Sequence, residues 1–292
     1  MRYLSVDIGG TFIKYGILDE TERMIFQDKV KTKTNIDDAI LRQVSGIIEG
    51  QLARYQDFSG IGISTAGIVD RDSGVIIYAG PTIPNYTGTP IKAYLENKFH
   101  LPVCVENDVN AALLGEIWKG AARNKLHVFC ITLGTGIGGA YYHQQLTDGY
   151  HLQGNAVGYM LFDPETQMNY EDRASTSALN RLITTSLGEN YTAEQVFAEA
   201  KRGDQVCHCM IQSWAKEVAR GIAQIILIKD PSLFIIGGGI SQQGDYLLTI
   251  LKQQLQLFLP PDFLKTELKL AELYNDAALY GAIFPFIKQE GV

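Results

Sequence analysis

The feature that most constrains this chain occurs twice. "YLSVDIGGTFIKYGIL" (Tyr3 to Leu18) and "HVFCITLGTGIGGAYYHQQL" (His127 to Leu146) each read as a β-rich run, a glycine turn and a second β-rich run. Each is expected to be a hairpin whose bare glycine backbone lets several N–H groups converge on an anion. The second also holds Gly134, Gly136 and Gly139 at G-x-G-x-x-G spacing. That spacing marks a dinucleotide site only where a helix opens at the last glycine. Here adjacent tyrosines and no capping residue follow, so a strand is expected and a dehydrogenase is disfavoured. A duplicated glycine hairpin predicts two similar domains facing each other across a cleft, each offering a backbone loop to one ligand.

Strand and helix signals alternate along the rest of the chain. "IDDAILRQVSGIIEGQLARY" reads as a helix, "FSGIGIST" as a strand, "IKAYLENKF" as a helix, "LPVCVEN" as a strand and "VNAALLGEIWKG" as a helix. "SLFIIGGGIS" is an apolar strand ending in Gly237, Gly238 and Gly239, followed by the helix "GDYLLTILKQQLQLFL". That order places free N–H groups at a helix start, which suits a nucleotide. "NDAALYGAIFPFI" reads as a closing helix, and the fold class expected is α/β.

Composition narrows the partners. The 292 residues are 46% hydrophobic and 20% charged, enough for one large or two medium domains with a sizeable core. A net charge of −7 and no basic stripe argue against nucleic acid. No signal-like start and no long apolar run are present, so no membrane partner and a cytoplasmic location are expected. The four cysteines make no disulfide framework. Cys207 and Cys209 lie in "DQVCHCMIQSWAKEVARGIAQIILI", where Val206, Met210, Trp214, Val218 and Ile222 mark a long helix. Residues i and i+2 of a helix point apart, so buried thiols are expected there and not a metal site.

Two segments carry the chemistry. In "VENDVNAALLGE", Asp108 has two open readings: an N-cap satisfying orphan amides, or a general base with Asn107 hydrogen-bonding the same substrate. A carboxylate can take a hydroxyl proton as a phosphoryl group arrives, a reaction governed by positioning and charge stabilisation. In "DIGGT", Asp7 could hold Mg²⁺ through water, while Thr11 and the Gly9 and Gly10 amides could reach phosphate oxygens. A simple turn is the alternative there.

"DIGGT", "ENDVNAALLGE", "LGTGIGG", "IIGGG" and "AALYGA", in this order, resemble the ROK family of sugar kinases over essentially the whole chain. The resemblance implies a two-domain actin-like ATPase (ribonuclease H-like) fold of the α/β class, with a cleft between the domains. A smaller domain would span residues 1–117 plus the helix 276–292, and a larger one residues 118–275 with the nucleotide and dimer surfaces. It further implies ATP with Mg²⁺, a sugar substrate, a homodimer, and transfer to a hydroxyl such as C6 of glucose or a glucoside. By the same resemblance Asp108 matches the catalytic base, Asn107 its sugar-binding neighbour, and Gly67 the sugar side. Gly10, Thr11, Gly134, Thr135 and Gly136 match the phosphate loops, and Gly238 and Gly239 the adenosine side. The family includes sugar-responsive repressors with a helix-turn-helix before the first hairpin, for which a hairpin starting at residue 3 leaves no room.

The departures from the family pattern are informative. Where the family has a segment like "GEIGHM", this chain has "NAVGYM": Ala156 replaces a sugar-binding Glu and Tyr159 a zinc-binding His. "LFDPETQMNYEDRAST" has no cysteine, so no structural zinc is expected, and Tyr159 becomes a sugar-side residue. Glu171 matches the second sugar-binding Glu, with a surface carboxylate as the alternative. Thr82 falls where many members have a sugar-binding Asn. Phe12 falls where many have Lys, with Lys14 two residues on. This pattern is similar to the β-glucoside kinase branch, which phosphorylates the 6-hydroxyl of a glucose unit carrying an aglycone or second sugar. A lost charged hydrogen bond costs about 1.5–3 kcal/mol, so Ala156 weakens the grip on a free hexose and leaves space for a glycoside. A catalytically weakened sugar sensor and an N-acetylmannosamine kinase remain the alternatives.

Overall fold

A computed structural model describes residues 1–19, 21–80 and 83–289. The chain divides into two compact units. Unit 1 comprises Met1–Arg123, Gly149–Gln153 and Asp276–Val292; unit 2 comprises Asn124–Asp148 and Gly154–Asn275.

Unit 1 opens with β1 (Arg2–Ile8), β2 (Phe12–Leu18) and β3 (Met24–Lys31), an antiparallel meander. Next come α1 (Ala39–Arg54), β4 (Phe58–Thr65), the small hairpin β5 (Ile68–Asp70) and β6 (Val75–Tyr78), α2 (Ile91–Phe99), β7 (Val103–Asn107) and α3 (Asp108–Trp118). The sheet order is β3-β2-β1-β4-β7, with β4 parallel to β1 and to β7. Leu4, Val6 and Ile8 of β1 pack with Ile61 and Ile63 of β4 and with Ile40, Val44 and Ile48 of α1 in one core. Helix α1 begins at Ala39 and not at Ile36, because Asp37 and Asp38 take left-handed φ values of 50° and 57° that a right-handed helix does not accept.

Unit 2 carries β8 (His127–Leu133) and β9 (Ile137–His143), then α4 (Tyr170–Ala174), α5 (Thr176–Leu187), α6 (Ala193–Lys201) and α7 (Gln205–Lys229). They are followed by β10 (Leu233–Gly237), α8 (Asp245–Leu255) and β11 (Glu267–Leu270). The sheet order is β11-β10-β8-β9, with β10 parallel to β8 and β9 antiparallel to it. The series β9-β8-β10-β11 therefore repeats β2-β1-β4-β7 of unit 1: a glycine hairpin whose first strand is joined by two parallel strands. The buried stripe of α7 begins at Cys207 and runs through Met210, Trp214, Val218 and Ile222. Val206, expected in that stripe, is 61% exposed, and of the CHC thiols Cys207 is buried while Cys209 is exposed.

The last helix, α9 (Ala277–Gln289), returns to unit 1 and packs on β1, β4 and α3. Small residues permit this. A Cβ on Gly281 would fall 1.6 Å from the Ala111 carbonyl oxygen, and one on Gly115 2.1 Å from that of Ala277, so α3 and α9 touch backbone to backbone. Ser5 Oγ donates to Leu279 O at 2.6 Å, and Tyr3 stacks on Phe286 at 5.3 Å. Among the described residues no helix is long and apolar enough to cross a membrane.

Candidate active site

In unit 1 two turns carry polar groups at the ends of neighbouring strands. The first is Gly9–Thr11 between β1 and β2, where the Gly9 N–H donates to Phe12 O at 3.1 Å. The end of β3 braces it: the Thr32 N–H donates to Thr11 O at 2.9 Å, and Thr32 Oγ1 to Gly9 O at 2.7 Å. Gly10 and Thr11 stay exposed. Asp7 lies just before this turn, in register with Lys14 on β2 and Ser64 on β4. Ser64 Oγ donates to Asp7 Oδ1 at 2.7 Å, and Lys14 Nζ lies 3.6 Å from Asp7 Oδ2. Burial holds the Asp7 carboxyl above its ordinary range, against the opposing pull of Lys14 and Ser64. Lys14 is thus paired with Asp7, and Phe12 is covered by Lys29 Nζ at 5.0 Å from its ring centre.

The second turn joins β7 to α3. Its N-cap is Asn107 and not Asp108: Asn107 has extended backbone angles, and its Oδ1 accepts from the Val109 N–H at 2.9 Å and the Asn110 N–H at 3.1 Å. Asp108 is the first helical residue. Its Oδ1 accepts from the Val109 N–H and from Asn107 Nδ2, both at 2.9 Å. Asn107 Nδ2 also donates to Gly67 O at 2.9 Å. With both ends of its amide engaged inside the protein, Asn107 orients Asp108. Asp108 itself keeps some exposed surface. Burial of its carboxyl, and then the neighbouring Asp7 carboxylate, push its pKa from 3.8 up to about 6. A carboxylate near neutrality that is partly open to solvent has the protonation behaviour of a general base.

Sequence reasoning passed over Glu106 and Arg71. Glu106 Oε2 accepts from Arg71 Nε at 2.5 Å, and its Oε1 accepts from the Asn107 N–H at 2.9 Å. A glutamate at a strand position flanked by valine and by the Asn-Asp pair was the available signal, since glutamate is rarely buried unless paired.

Unit 2 builds its polar turn between β8 and β9. The Gly134 N–H donates to Gly136 O at 3.0 Å, and Gly134 O accepts from the Thr176 N–H, at the start of α5, at 3.0 Å. Beside it lies a cavity of about 420 Å³ lined by Gly134, Thr135, Thr176, Asn180, Glu194 and Gly239, among others. Gly238 takes φ 90°, and a Cβ there would meet Leu133 O at 2.2 Å, so only glycine lets the end of β10 close on the end of β8. The helix expected from Gly244 runs as α8 from Asp245 with Gly244 as its N-cap, and a 3₁₀ turn over Gly239–Gln243 separates it from these glycines.

Glu171 lies on α4, and its Oε2 accepts from the Ile137 N–H at 3.0 Å at the start of β9. Tyr159 is 56% exposed and ends the 3₁₀ turn Val157–Tyr159, before which Ala156 is also exposed. The cysteine-free loop at 161–169 is closed by protein groups. Arg173 donates to Met168 O at 2.9 Å and Leu161 O at 2.5 Å, and Asp163 accepts from Thr166 Oγ1 and the Glu165 N–H, each at 2.9 Å. Among the described residues no three His, Cys, Asp or Glu side chains gather as a metal site. Thr82 lies outside the described residues.

Two α/β units, each with a glycine hairpin at its polar strand ends and one with a half-buried Asn-Asp turn, define the actin-like architecture of sugar kinases. The ROK family model matches residues 3–289, and this chain belongs to the ROK family. It is similar to a β-glucoside kinase of Klebsiella pneumoniae, at 31% identity over 98% of this chain and 96% of that one. Among solved structures, a ROK family glucokinase from Streptomyces griseus in complex with glucose and AMPPNP superposes with a TM-score of 0.83, at 29% identity over 97% of this chain and 98% of that one. A ROK family protein from Streptococcus pneumoniae in complex with sucrose gives 0.86, at 28% identity over 99% of both chains.

Proposed function

We propose that this ROK sugar kinase transfers the γ-phosphoryl group of ATP to the C6 hydroxyl of a glucose unit, with a glucoside or disaccharide as the preferred acceptor. The observation that carries the reading is the Asp108 carboxylate, fixed by Asn107 and with a pKa near 6. Asp108 takes the proton from the sugar hydroxyl as its oxygen attacks the γ-phosphorus, and the bond between that phosphorus and the leaving ADP oxygen breaks. Thr11 and the Gly10 amide hold phosphate oxygens, as do the amides of Thr135 and Gly136, whereas the Gly9 and Gly134 N–H groups, also expected from the sequence to reach phosphate, donate within their own turns to Phe12 O and Gly136 O. The adenosine occupies the cavity of unit 2 beside Gly238 and Gly239. The hard carboxylate oxygens of Asp7 suit Mg²⁺ and would hold it through water, where it would supply neutralisation of phosphate charge.

On the sugar side, Asn107 sets the base, while Glu171 and Tyr159 supply polar contacts, with Gly67 near the acceptor. Lys14 adds positive charge near Asp7 for the transferring phosphoryl group. Ala156 presents only a methyl group on an exposed backbone turn, which admits a bulky substituent where a glutamate would grip hydroxyls. The Klebsiella β-glucoside kinase and the sucrose-bound Streptococcus pneumoniae protein support a substituted sugar as acceptor. The enzyme works in the cytoplasm as a homodimer, for which the exposed Val206, Leu227 and Ile228 of α7 offer apolar surface.

An ADP-release assay over hexoses, N-acetylhexosamines and α- and β-glucosides tests this, with Asp108→Asn as control. The expected result is release driven by glucosides and abolished in the variant. Rapid turnover of free N-acetylmannosamine with no response to any glucoside would refute the acceptor assignment, and undiminished release by Asp108→Asn would refute the base.

A further inference from the structure

Glu106 is a buried acid that the transfer described above leaves without a task. It is 4% exposed and stands next to the Asn107–Asp108 turn. Its Oε1 accepts from the Asn107 N–H at 2.9 Å and from Asn110 Nδ2, in the first turn of α3, at 3.0 Å. Its Oε2 accepts from Arg71 Nε at 2.5 Å. Arg71 follows β5 directly, in the turn that leads to β6, and Gly67, whose carbonyl accepts Asn107 Nδ2, immediately precedes β5. One carboxylate therefore ties together the end of β7, the start of α3 and the β5–β6 hairpin.

Stability alone does not account for a buried ion pair at this position. Replacing such a pair with apolar groups of similar size is often neutral or stabilising, because desolvating two charges offsets their attraction. What apolar groups could not supply is direction. The Asp108 carboxylate stands one bond from its Cα–Cβ axis, so its aim follows the Asn107 peptide and the Asn107 Nδ2 bond. Glu106 holds that peptide from one side, and Gly67 holds the Asn107 side chain from the other. Arg71 fixes where Glu106 itself can point.

We propose that Glu106 and Arg71 are positioning residues for the reaction: together they lock the Asn107–Asp108 turn onto the β5–β6 hairpin and so set the aim of the Asp108 carboxylate at the acceptor hydroxyl. The pair acts through Asp108 and touches no substrate. It governs the chemical step more than sugar binding, since misaim of a base by a fraction of an ångström to an ångström costs up to about 100-fold in rate. This rests on Asp108 being the base of the proposed transfer.

The test uses the full chain with three variants: Arg71→Met, Glu106→Gln, and the double variant Arg71→Met with Glu106→Leu. Thermal melts, kcat and KM for the best acceptor, the pH profile of kcat/KM, and a carbon-13 NMR titration of Asp108 assigned through Asp108→Asn are measured. The expected result is a fall in kcat of about 10- to 100-fold in all three, with the sugar KM changed by less than about threefold. The Asp108 titration and the acid limb of the profile move to higher pH, because a loosened turn weakens the Asn107 Nδ2 bond that favours the ionised form. The double variant melts at or above the wild-type temperature and still has the low kcat, which a purely structural pair would not produce. A double variant with wild-type kcat and an unmoved Asp108 titration overturns the proposal, and so does unfolding of all three variants, which would make the pair a folding element. A wild-type protein that phosphorylates no sugar refutes the kinase reading alone, since the NMR titration needs no substrate.

Discussion

Glu171 Oε2 accepts the Ile137 N–H at 3.0 Å, which ties the carboxylate of α4 to the strand leaving the second glycine turn. The approach depends on two glycines. A Cβ on Gly136 would lie 2.4 Å from that same oxygen, and one on Gly158 2.6 Å from it. Gly158→Ala is therefore expected to displace Glu171, raising the sugar KM about tenfold and lowering stability by about 1–3 kcal/mol. Gly134→Ala is the contrast, because nothing lies within 4 Å of a Cβ there. Its melting temperature should match wild type, while KM for ATP should rise if this turn holds phosphate as proposed. Melts and steady-state kinetics on the two variants check both outcomes.

The pH dependence of Asp108 has a definite sign. Its folded pKa, about 6, lies above the ordinary 3.8, so between these values the folded state binds more protons than the unfolded state. Stability contributed by this group is thus highest below pH 3.8, falls as pH rises through that window, and is lowest above 6. Activity runs the other way, with kcat/KM falling below about pH 6 as the base is protonated. Asp108→Asn should lose about 10²–10⁴-fold in rate, melt higher than wild type at pH 7.5, and lose the advantage at pH 4. Equal melting differences at the two pH values would contradict the shifted pKa.

Ala156→Glu restores a carboxylate at an exposed backbone turn. The ratio of kcat/KM for free glucose over that for a β-glucoside should rise about 10-fold or more, the equivalent of one charged hydrogen bond gained and an aglycone space lost. An unchanged ratio would disconnect this position from acceptor choice.

Arg173 closes the 161–169 loop through two carbonyls and lies 3.3 Å from Glu217 Oε2. Arg173→Met strands those carbonyls and should lower stability by about 1–3 kcal/mol. Incubation with a zinc chelator should leave the wild-type melting curve unmoved; a drop after chelation would reveal a metal in the fold.

The elements read from the sequence were those whose signal is local. The two hairpins, the long α7 and the strand ending in Gly237 follow from β-rich runs around glycines and from four-residue apolar spacing. Asp37 and Asp38 misled at the start of α1, because acids suit both a helical first turn and a left-handed residue, and the sequence does not carry φ. Asn107 and Asp108 were both legible as capping types, and only the extended backbone of Asn107 decides which is the cap. Glu106 with Arg71, Ser64 with Asp7, and Glu171 with Ile137 depend on contacts 35, 57 and 34 residues apart. Ala277 with Gly115 and Gly281 with Ala111 are likewise tertiary: each residue reads as an ordinary small helical position until the partner helix is in place.

That last contact orders events during synthesis. The sheet of unit 1 and α3 leave the ribosome before unit 2, and α9 follows unit 2. Until then Ala111 and Gly115 face solvent, and Ser5 lacks its acceptor at Leu279. A nascent chain stopped after Asn275 should be open to protease within β1, β4 and α3 while unit 2 resists, and it should not turn over ATP. The kinase is then assembled by a helix made after unit 2, and a translation product interrupted before it is inert towards the cell's ATP and a client for chaperones.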